Sequence, residues 1–259
     1  MDMTLSAPSP LPGPVLRSPT ILDLAKIALF ADLDGTLASL EATPGAVGPD
    51  PRRRDLLEGL SSKLGGRLAV VSGRAMDDLD RVLEGRIAAL GAVHGLVRRR
   101  ADRSIVAKPG AEGMGEALAA LRAFAKADRS LLVENKGGAV ALHYRRNPGS
   151  GPACRDLARR LSGPLGLKVL EGDMVVELRT PGPDKGAAVT DFMTERPFAG
   201  FTPVFLGDDL TDEDGFRAAK LLGGYGVIVG PRRPTAALFA LQDVAEARHW
   251  LAAAVAAAS

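Results

Sequence analysis

The chain has 259 residues, of which 46% are apolar and 25% are charged, and its formal net charge is +2. This length and composition are typical of a globular protein with one large domain or two modest ones. The small net charge excludes a bulk attraction for nucleic acid, and no apolar run approaches the ~20 residues of a membrane helix. The arginine clusters at 52–54 and 98–100 are accordingly expected to be solvated surface.

The N-terminal segment and the single cysteine indicate where the protein works. Residues 1–22 are rich in Pro and Ser and lack the basic and apolar regions of a signal peptide, which predicts a flexible lead. Cys154 is the only cysteine, so no internal disulfide can form, which fits a reducing cytoplasm. Its surroundings predict the start of an exposed helix rather than a nucleophilic site. We expect a cytoplasmic protein that acts as a monomer.

Four continuous apolar runs predict strands, and helical patterns lie between and after them. Continuous runs are typical of parallel strands that are covered on both faces. The predicted strands are 26–33, 67–73, 202–209 and 224–230. The predicted helices around them are 50–65, 75–85, 184–196, 211–222 and 245–258. This alternation predicts an α/β fold with a doubly wound, Rossmann-like parallel-sheet core.

Two helix starts carry capping signals. Asp184 precedes the helix that contains Lys185 and is predicted to be its N-cap. Thr211 and Asp214 resemble a capping box in which Asp replaces the usual Glu or Gln.

The middle of the chain has a different pattern, in which hairpins alternate with helices. The predicted elements are a helix at 112–127, a hairpin at 131–145, a helix at 154–163 and a hairpin at 167–179. This pattern predicts an α+β cap inserted between the second and third parallel strands. The expected organisation is a lead at 1–22, a core at 23–107 and 181–259, and a cap at 108–180.

Polar side chains follow three of the predicted strands where each of them ends. They are Asp32, Asp34 and Thr36 after the first strand, Ser72, Gly73 and Arg74 after the second, and Asp208 and Asp209 after the third. Ligands of open α/β sheets bind beyond these strand ends, and neighbouring strands lie about 4.8 Å apart. The three groups can therefore converge, and Lys185 at a helix start can join them to bind an anion.

The convergence of several carboxylates points to a hard cation. Crowded aspartates repel one another and raise one another's pKa, and a divalent cation relieves this repulsion. Oxygen ligands without His or Cys favour Mg²⁺ over zinc or copper. Carboxylates, Mg²⁺ and anion donors together indicate phosphoryl transfer.

At this point the sequence resembles a known family. DLDGT, VVSGR, KG and GDDLTDEDGF look like the four ordered motifs of the haloacid dehalogenase (HAD) superfamily of phosphatases. With ENKGGAVALHYR and VVELR in the predicted cap, the chain more narrowly resembles the trehalose-6-phosphate phosphatases, over roughly residues 26–230. It departs from the family pattern at Val97 and at Asp184.

The resemblance implies a set of roles. Asp32 would attack phosphorus and form an aspartyl-phosphate, and Asp34 would act as acid and then as base. Mg²⁺ would be held by Asp32, the Asp34 carbonyl and Asp208, with Asp209 and Asp212 supporting it. The expected phosphate-binding residues are Thr36, Ser72, Gly73, Arg74 and Lys185. The expected sugar-binding residues of the cap are Glu134, Lys136, His143, Arg145 and Glu177.

Several alternatives remain open from the sequence. The substrate could be another sugar phosphate, such as sucrose phosphate or mannosylglycerate phosphate. The enzyme could be a phosphomutase, or the chain could be an inactive sugar-phosphate-binding regulator. Without the resemblance, Glu134 and Lys136 would be interpreted as a surface ion pair of a hairpin. His94 is interpreted as structural rather than catalytic, because the proposed chemistry needs no imidazole.

Overall fold

A computed structural model describes residues 16–231 and 233–258 of the chain. Residues 1–15 of the predicted N-terminal lead lie outside the described residues. Within the described part, no helix is both long enough and apolar enough to cross a membrane.

The structure contains a large, mostly parallel sheet and a smaller antiparallel sheet. The strands are β1 Ile27–Ala31, β2 Leu68–Val71, β3 Ala89–Ala92, β4 Val97–Arg99, β5 Ile105–Ala107, β6 Leu132–Asn135, β7 Ala139–His143, β8 Lys168–Gly172, β9 Val175–Arg179, β10 Thr202–Gly207, β11 Tyr225–Val229 and β12 Phe239–Leu241. The helices are α1 Pro51–Lys63, α2 Met76–Leu83, α3 Met114–Ala125, α4 Gly151–Ser162, α5 Lys185–Met193, α6 Asp212–Leu221 and α7 Val244–Ala257.

The large sheet has the order β12-β11-β10-β1-β2-β3-β4-β5, with β1 between β10 and β2. The first six strands in this order are parallel to one another, whereas β4 pairs antiparallel with β3 and β5 pairs antiparallel with β4. All five residues of β1 are buried, and alternate side chains enter two different cores. Leu29 packs on the side of α1, α2 and α7, whereas Phe30 packs on the side of α5 and α6. The β1 sequence is apolar throughout because both faces of the strand are covered.

The smaller sheet has the order β6-β7-β9-β8, and every pairing in it is antiparallel. The sequence correctly predicts its two hairpins, β6–β7 and β8–β9, which pair through β7 and β9. Helices α3 and α4 pack on one side of this sheet around Leu121, Cys154 and Leu178. The other side faces the carboxyl ends of the large sheet, since side chains of β6, β7 and β9 line the same cavity as the β1 aspartates.

Four strands of the large sheet are absent from the sequence prediction. They are β3, β4, β5 and β12, each only three or four residues long. Strand β3 is Ala-Leu-Gly-Ala, which contains no β-branched or aromatic residue, so neither propensity nor alternation marks it. It exists because it pairs with β2, which is a tertiary contact.

The expectation that the arginine clusters are solvated is wrong for three of the six residues. Arg53, Arg98 and Arg99 are buried. Arg53 donates to the Gly48 and Val82 carbonyls, and Arg98 forms a two-pronged pair with Glu195. Each guanidinium is buried because its donors have fixed partners, as the interior requires.

Two further local predictions are corrected. Cys154 does not start an exposed helix but is fully buried, because its face of α4 packs on the smaller sheet. The capping box at Thr211 does not form, since the Thr211 side chain makes no capping hydrogen bond to α6. The Asp184 cap, by contrast, is confirmed: its carboxylate accepts a 2.8 Å bond from the Ala187 N–H.

Candidate active site

Three aspartates meet at the carboxyl ends of β1 and β10. Oxygen atoms of Asp32, Asp208 and Asp212 all lie within 4.8 Å of one another. Asp32 follows β1 directly, Asp208 follows β10, and the Asp32 N–H donates to the Leu206 carbonyl of β10 at 2.9 Å. The adjacency of the two strands therefore fixes the distance between the carboxylates.

Lys185 supplies the positive charge of the cluster. The Lys185 side chain is 2% exposed, and its ammonium lies 2.7 Å from Asp212 Oδ1 and 3.1 Å from Asp32 Oδ2. The other Asp212 oxygen, Oδ2, accepts hydrogen bonds from the backbone N–H groups of Asp208 and Asp209, each with a length of 2.9 Å. Asp212 thus connects the lysine of α5 to the turn that presents Asp208.

The electrostatics of this cluster favour a cation. Burial raises the pKa of Asp32 well above its usual range, although Lys185 opposes the effect. Burial, together with the Asp212 charge, raises the pKa of Asp208 to about 7. In Lys185 burial alone would lower the pKa, but Asp212 and Asp32 outweigh it and the pKa is raised. One lysine does not offset three carboxylates, so the donor set fits a hard divalent ion.

The orphaned oxygen of Asp32 strengthens that fit. Asp32 Oδ1 is buried and has no hydrogen-bond partner among the described residues. A buried carboxylate oxygen without a hydrogen-bond partner is costly in free energy, and this oxygen is suited to coordinate a cation. Gly35 keeps this space narrow: its φ is +77°, and a Cβ there would lie 2.1 Å from Asp208 Oδ2. Only glycine allows the loop after β1 to approach Asp208 so closely.

The end of β2 contributes a second set of polar groups. Arg74 is buried and donates to both oxygens of Asp34 at 2.6 Å, and it also pairs with Asp78. The backbone N–H of Arg74 donates to Ser72 Oγ at 3.3 Å. The two-pronged contact orients the Asp34 carboxylate beside Asp32.

Opposite the aspartates, the smaller sheet presents two close ion pairs. Lys136 Nζ lies 2.5 Å from Glu177 Oε2, and His143 Nε2 lies 2.8 Å from Glu134 Oε2. Burial opposes the charged form of Glu177, but Lys136 and His94 hold its pKa well below the usual range. Burial likewise acts against Glu134, and His143 and Lys136 lower its pKa nonetheless. Both carboxylates therefore stay ionised and can accept hydrogen bonds.

One cavity of about 850 Å³ joins the two groups. Its wall includes Asp32, Asp34, Ser72, Gly73, Arg74, Lys185, Asp208 and Asp209 from the large-sheet side. From the smaller sheet it includes Glu134, Lys136, His143, Arg145 and Glu177. The volume lies within the usual range for small-molecule sites, about 300–1,000 Å³. An anion-binding end thus faces an end that is rich in hydrogen-bond partners.

Comparison with known proteins identifies the family of the chain. The model of the trehalose-phosphatase family matches residues 30–245. A protein of Escherichia coli named trehalose-6-phosphate phosphatase is 39% identical over 230 residues, covering 88% of this chain and 86% of that protein. A protein of Sinorhizobium fredii named probable trehalose-phosphate phosphatase is 36% identical over 255 residues, covering 97% of this chain and 96% of that protein. The chain belongs to the trehalose-phosphatase family.

A solved structure confirms the fold. The C-terminal domain of a Candida albicans trehalose-6-phosphate phosphatase superposes with a TM-score of 0.79 at 22% identity, covering 93% of this chain and 99% of that one. The family and the α/β fold class that the sequence motifs predict are therefore both confirmed.

The family's motifs are placed in the structure with two differences from the predicted contacts. Asp209, expected at the metal, is not part of the aspartate cluster, and its Oδ1 accepts the Leu210 N–H at 2.5 Å. Thr36 is fully buried outside the cavity wall, and its hydroxyl donates to Asp208 Oδ1 at 3.1 Å. Of the two aspartates expected to support the metal, Asp212 therefore joins the cluster and Asp209 does not.

Two contributors to the site lack a clear sequence signal. Arg233 donates to the carbonyls of Asp208 and Asp209 at 3.3 and 2.7 Å and pairs with Glu213. Its position in an irregular loop, 25 residues after Asp208, gives no local pattern that predicts this. His94, which the sequence predicts to be structural rather than catalytic, lies in the cavity wall with its Nε2 3.4 Å from Glu177 Oε1.

We expect Asp208→Asn to stabilise the cation-free protein at alkaline pH. The pKa of Asp208 rises from 3.8 in the unfolded chain to about 7 when folded, so the folded state favours the protonated form. The ionisation of Asp208 therefore does not destabilise the folded protein below about pH 4, where the residue is protonated in both states. The destabilisation reaches its full value above about pH 7, where it is ionised in both states. At pH 8 the variant should exceed the wild type in unfolding free energy by about 2–4 kcal/mol. Denaturant unfolding in EDTA between pH 5 and 8 measures this.

Two comparisons make the measurement specific to Asp208. Burial lowers the pKa of His94, an effect of opposite sign on stability, but it is common to both proteins and cancels in the difference. Added Mg²⁺ should stabilise the wild type at pH 8 more than the variant. A stability difference that does not grow with pH would contradict the prediction.

Proposed function

We propose that this protein hydrolyses trehalose 6-phosphate to trehalose and phosphate. The observation that carries the proposal is the single cavity in which the cluster of Asp32, Asp208 and Lys185 faces the pairs at Glu134 and Glu177. The first end suits a phosphoryl group and the second suits a sugar with many hydroxyls. The names of the relatives support the same substrate.

The first half-reaction would use Asp32 as a nucleophile. One Asp32 oxygen is held by Lys185, and the other is free of hydrogen bonds within the described residues. A carboxylate oxygen attacks phosphorus, the bond from phosphorus to the sugar oxygen breaks, and an aspartyl-phosphate forms. Asp34 gives its proton to the departing sugar oxygen.

The second half-reaction would return Asp32 to its starting state. Asp34 takes a proton from water, the water oxygen attacks the aspartyl-phosphate, and phosphate leaves while the Asp32 carboxylate is regenerated. The two hydrogen bonds from Arg74 fix the orientation of the Asp34 carboxylate. In this mechanism Arg74 orients the acid–base residue, and Ser72 and Lys185 contact the phosphate.

The cation that we propose is Mg²⁺, held by Asp32, Asp208 and the Asp34 carbonyl, with Asp212 and Asp209 beside it. Bound there, Mg²⁺ would neutralise the crowded carboxylates and stabilise negative charge on the phosphoryl oxygens. Within this chain, Lys185 provides a fixed positive charge beside two of the same carboxylates, Asp32 and Asp212. Its contacts with Asp32 and Asp212 keep that charge in place.

We propose that residues 108–180 form a cap that selects the sugar, over a core of residues 23–107 and 181–259. Glu134, Lys136 and Glu177 are the residues expected to bind sugar hydroxyls, with His143 and Arg145 beside them. Sites that hydrogen-bond a substrate hydroxyl reject analogues without it strongly, because buried polar groups are then left unpaired. The selectivity of the enzyme would thus depend on the cap.

A substrate panel tests the function. We expect phosphate release from trehalose 6-phosphate to exceed that from sucrose phosphate, mannosylglycerate phosphate and p-nitrophenyl phosphate by at least about 100-fold in kcat/KM. EDTA should abolish it, and Mg²⁺ should restore it. Faster hydrolysis of another sugar phosphate would identify that compound as the substrate instead of trehalose 6-phosphate. Stimulation by a sugar bisphosphate, with little release of free phosphate, would favour a mutase.

We further propose that the enzyme acts as a monomer in the cytoplasm. The single, buried Cys154 supports a reducing compartment, because no internal disulfide can form.

A further inference from the structure

The loop between β3 and β4 holds its backbone in an uncommon conformation. Val93 and His94 have φ values of 49° and 56°, in the left-handed region. Non-glycine residues are uncommon there, and for a β-branched residue such as Val93 the conformation is strained. Strained backbone persists where the surrounding structure requires it. In this loop it directs the His94 side chain into the cavity wall.

The His94 imidazole lies against the turn that carries Ser72. The backbone N–H of His94 donates to the Ser72 carbonyl at 2.9 Å, and the backbone N–H of Val93 donates to the Arg74 carbonyl at the same distance. A Cβ on Gly73 would lie 2.6 Å from His94 Cε1 and Nε2. Any side chain at residue 73 would therefore displace the ring. The phosphate-side turn and the imidazole share one packed unit.

The imidazole extends from this unit to the smaller sheet. His94 Nε2 lies 3.4 Å from Glu177 Oε1, while Lys136 contacts the other Glu177 oxygen at 2.5 Å. All three side chains are largely or wholly buried. The Glu177 carboxylate is thus placed between a cation of its own sheet and an imidazole of the large-sheet side. Of the contacts made by Glu177, the one with His94 crosses between the two sheets.

Two polar atoms of this group lack hydrogen-bond partners. Glu177 Oε1 and His94 Nδ1 are buried and unpartnered among the described residues. Burial lowers the pKa of His94, which favours the neutral ring, and a neutral ring carries one N–H donor. With the donor on Nε2, a small closing movement would bring it into hydrogen-bond distance of Glu177 Oε1.

We propose that His94 is a positioning residue for sugar recognition, which orients Glu177 from the large-sheet side when the two sheets close over a sugar phosphate. The inference rests on the proposed function, since Glu177 is taken to bind sugar hydroxyls. His94 touches neither the phosphate nor the nucleophile and acts through Glu177. The sugar-binding carboxylate is therefore oriented only while the phosphate-side turn is intact, which couples the two ends of the cavity.

Two amide substitutions test this with matched chemistry. A Gln side chain can place its amide near the position of Nε2, whereas Asn reaches only the position of Nδ1 and is too short to reach Glu177. Asn also accepts the left-handed backbone, so His94→Asn should fold. His94→Gly, which tolerates that φ and removes the ring, is the second variant if His94→Asn melts at a lower temperature than the wild type.

The expected readout is a KM effect that is selective for the sugar. On the sugar phosphate that the wild type hydrolyses fastest, His94→Asn should raise KM about 10-fold with little change in kcat, as expected when a hydrogen bond to a charged group is lost. On p-nitrophenyl phosphate, which lacks the sugar, kcat/KM should be unchanged. His94→Gln should restore most of the wild-type KM.

A double-mutant cycle tests whether His94 acts through Glu177. In a Glu177→Gln background, His94→Asn should add little further loss. Equal losses on both substrates, or fully additive losses in the cycle, would overturn the inference. The panel with wild-type protein decides the proposed function separately: a wild type without activity on trehalose 6-phosphate refutes the substrate, while the His94 test proceeds on the preferred sugar phosphate.

Discussion

Replacing Asp32 with Asn is expected to reduce phosphate release by at least about 1,000-fold while leaving the protein folded. The amide is nearly the same size as the carboxylate but is a poor nucleophile towards phosphorus. Asp32 is 5% exposed, and burial raises its pKa, so the charge is costly to the fold and its removal should not destabilise. Initial rates with trehalose 6-phosphate and with p-nitrophenyl phosphate, together with thermal melts, measure both parts.

Asp173→Asn provides a matched control, because Asp173 also lines the cavity but lies on the β8–β9 turn and pairs with Arg145. We expect its effect to stay below about 10-fold. The loss in Asp32→Asn should be equally severe on both substrates, since the nucleophile serves any phosphate ester. Substantial release by folded Asp32→Asn protein would disprove the assignment of the nucleophile.

The sequence predicts the site well where local pattern and sheet geometry together determine it. Asp32 and Asp208 each follow a continuous apolar strand, and parallel strands bring such ends to one edge of the sheet. The pairing of β1 with β10, which the alternation of strands and helices does not specify, then fixes their separation. The two hairpins of the smaller sheet are equally local, because their turns interrupt clear apolar runs.

The rest depends on contacts between distant residues, which leave no local pattern. Asp212 looks like an ordinary acidic residue in the first turn of α6, and only the fold shows it bonded to Lys185, 27 residues earlier. The sequence likewise presents Glu134 and Lys136 as partners in one hairpin, whereas the structure pairs them with His143 and Glu177. Strand β3 and the His94 loop depend on pairing and strain, which a one-dimensional pattern does not encode.

The same reasoning gives Lys185 a double role in stability and turnover. Its ammonium lies 3.1 Å from Asp32 and 2.7 Å from Asp212, and both carboxylates are buried. Removing one partner of a buried ion pair typically costs about 3–5 kcal/mol, because the remaining charge is uncompensated. The residue would also contact the phosphoryl group, so its loss should affect the reaction independently of the fold.

Lys185→Met should therefore lose about 3–5 kcal/mol of unfolding free energy in EDTA at pH 8, and at least about 100-fold in kcat/KM under conditions where it is folded. The stability loss should shrink as the pH falls, because burial raises the pKa of Asp32 and protonation then removes the uncompensated charge. Lys220→Met is the control, since Lys220 is an exposed lysine of α6. A variant as stable as the wild type across this pH range would show that the carboxylates do not need the ammonium. Lys185 would then not be the group that compensates the charge of the nucleophile Asp32.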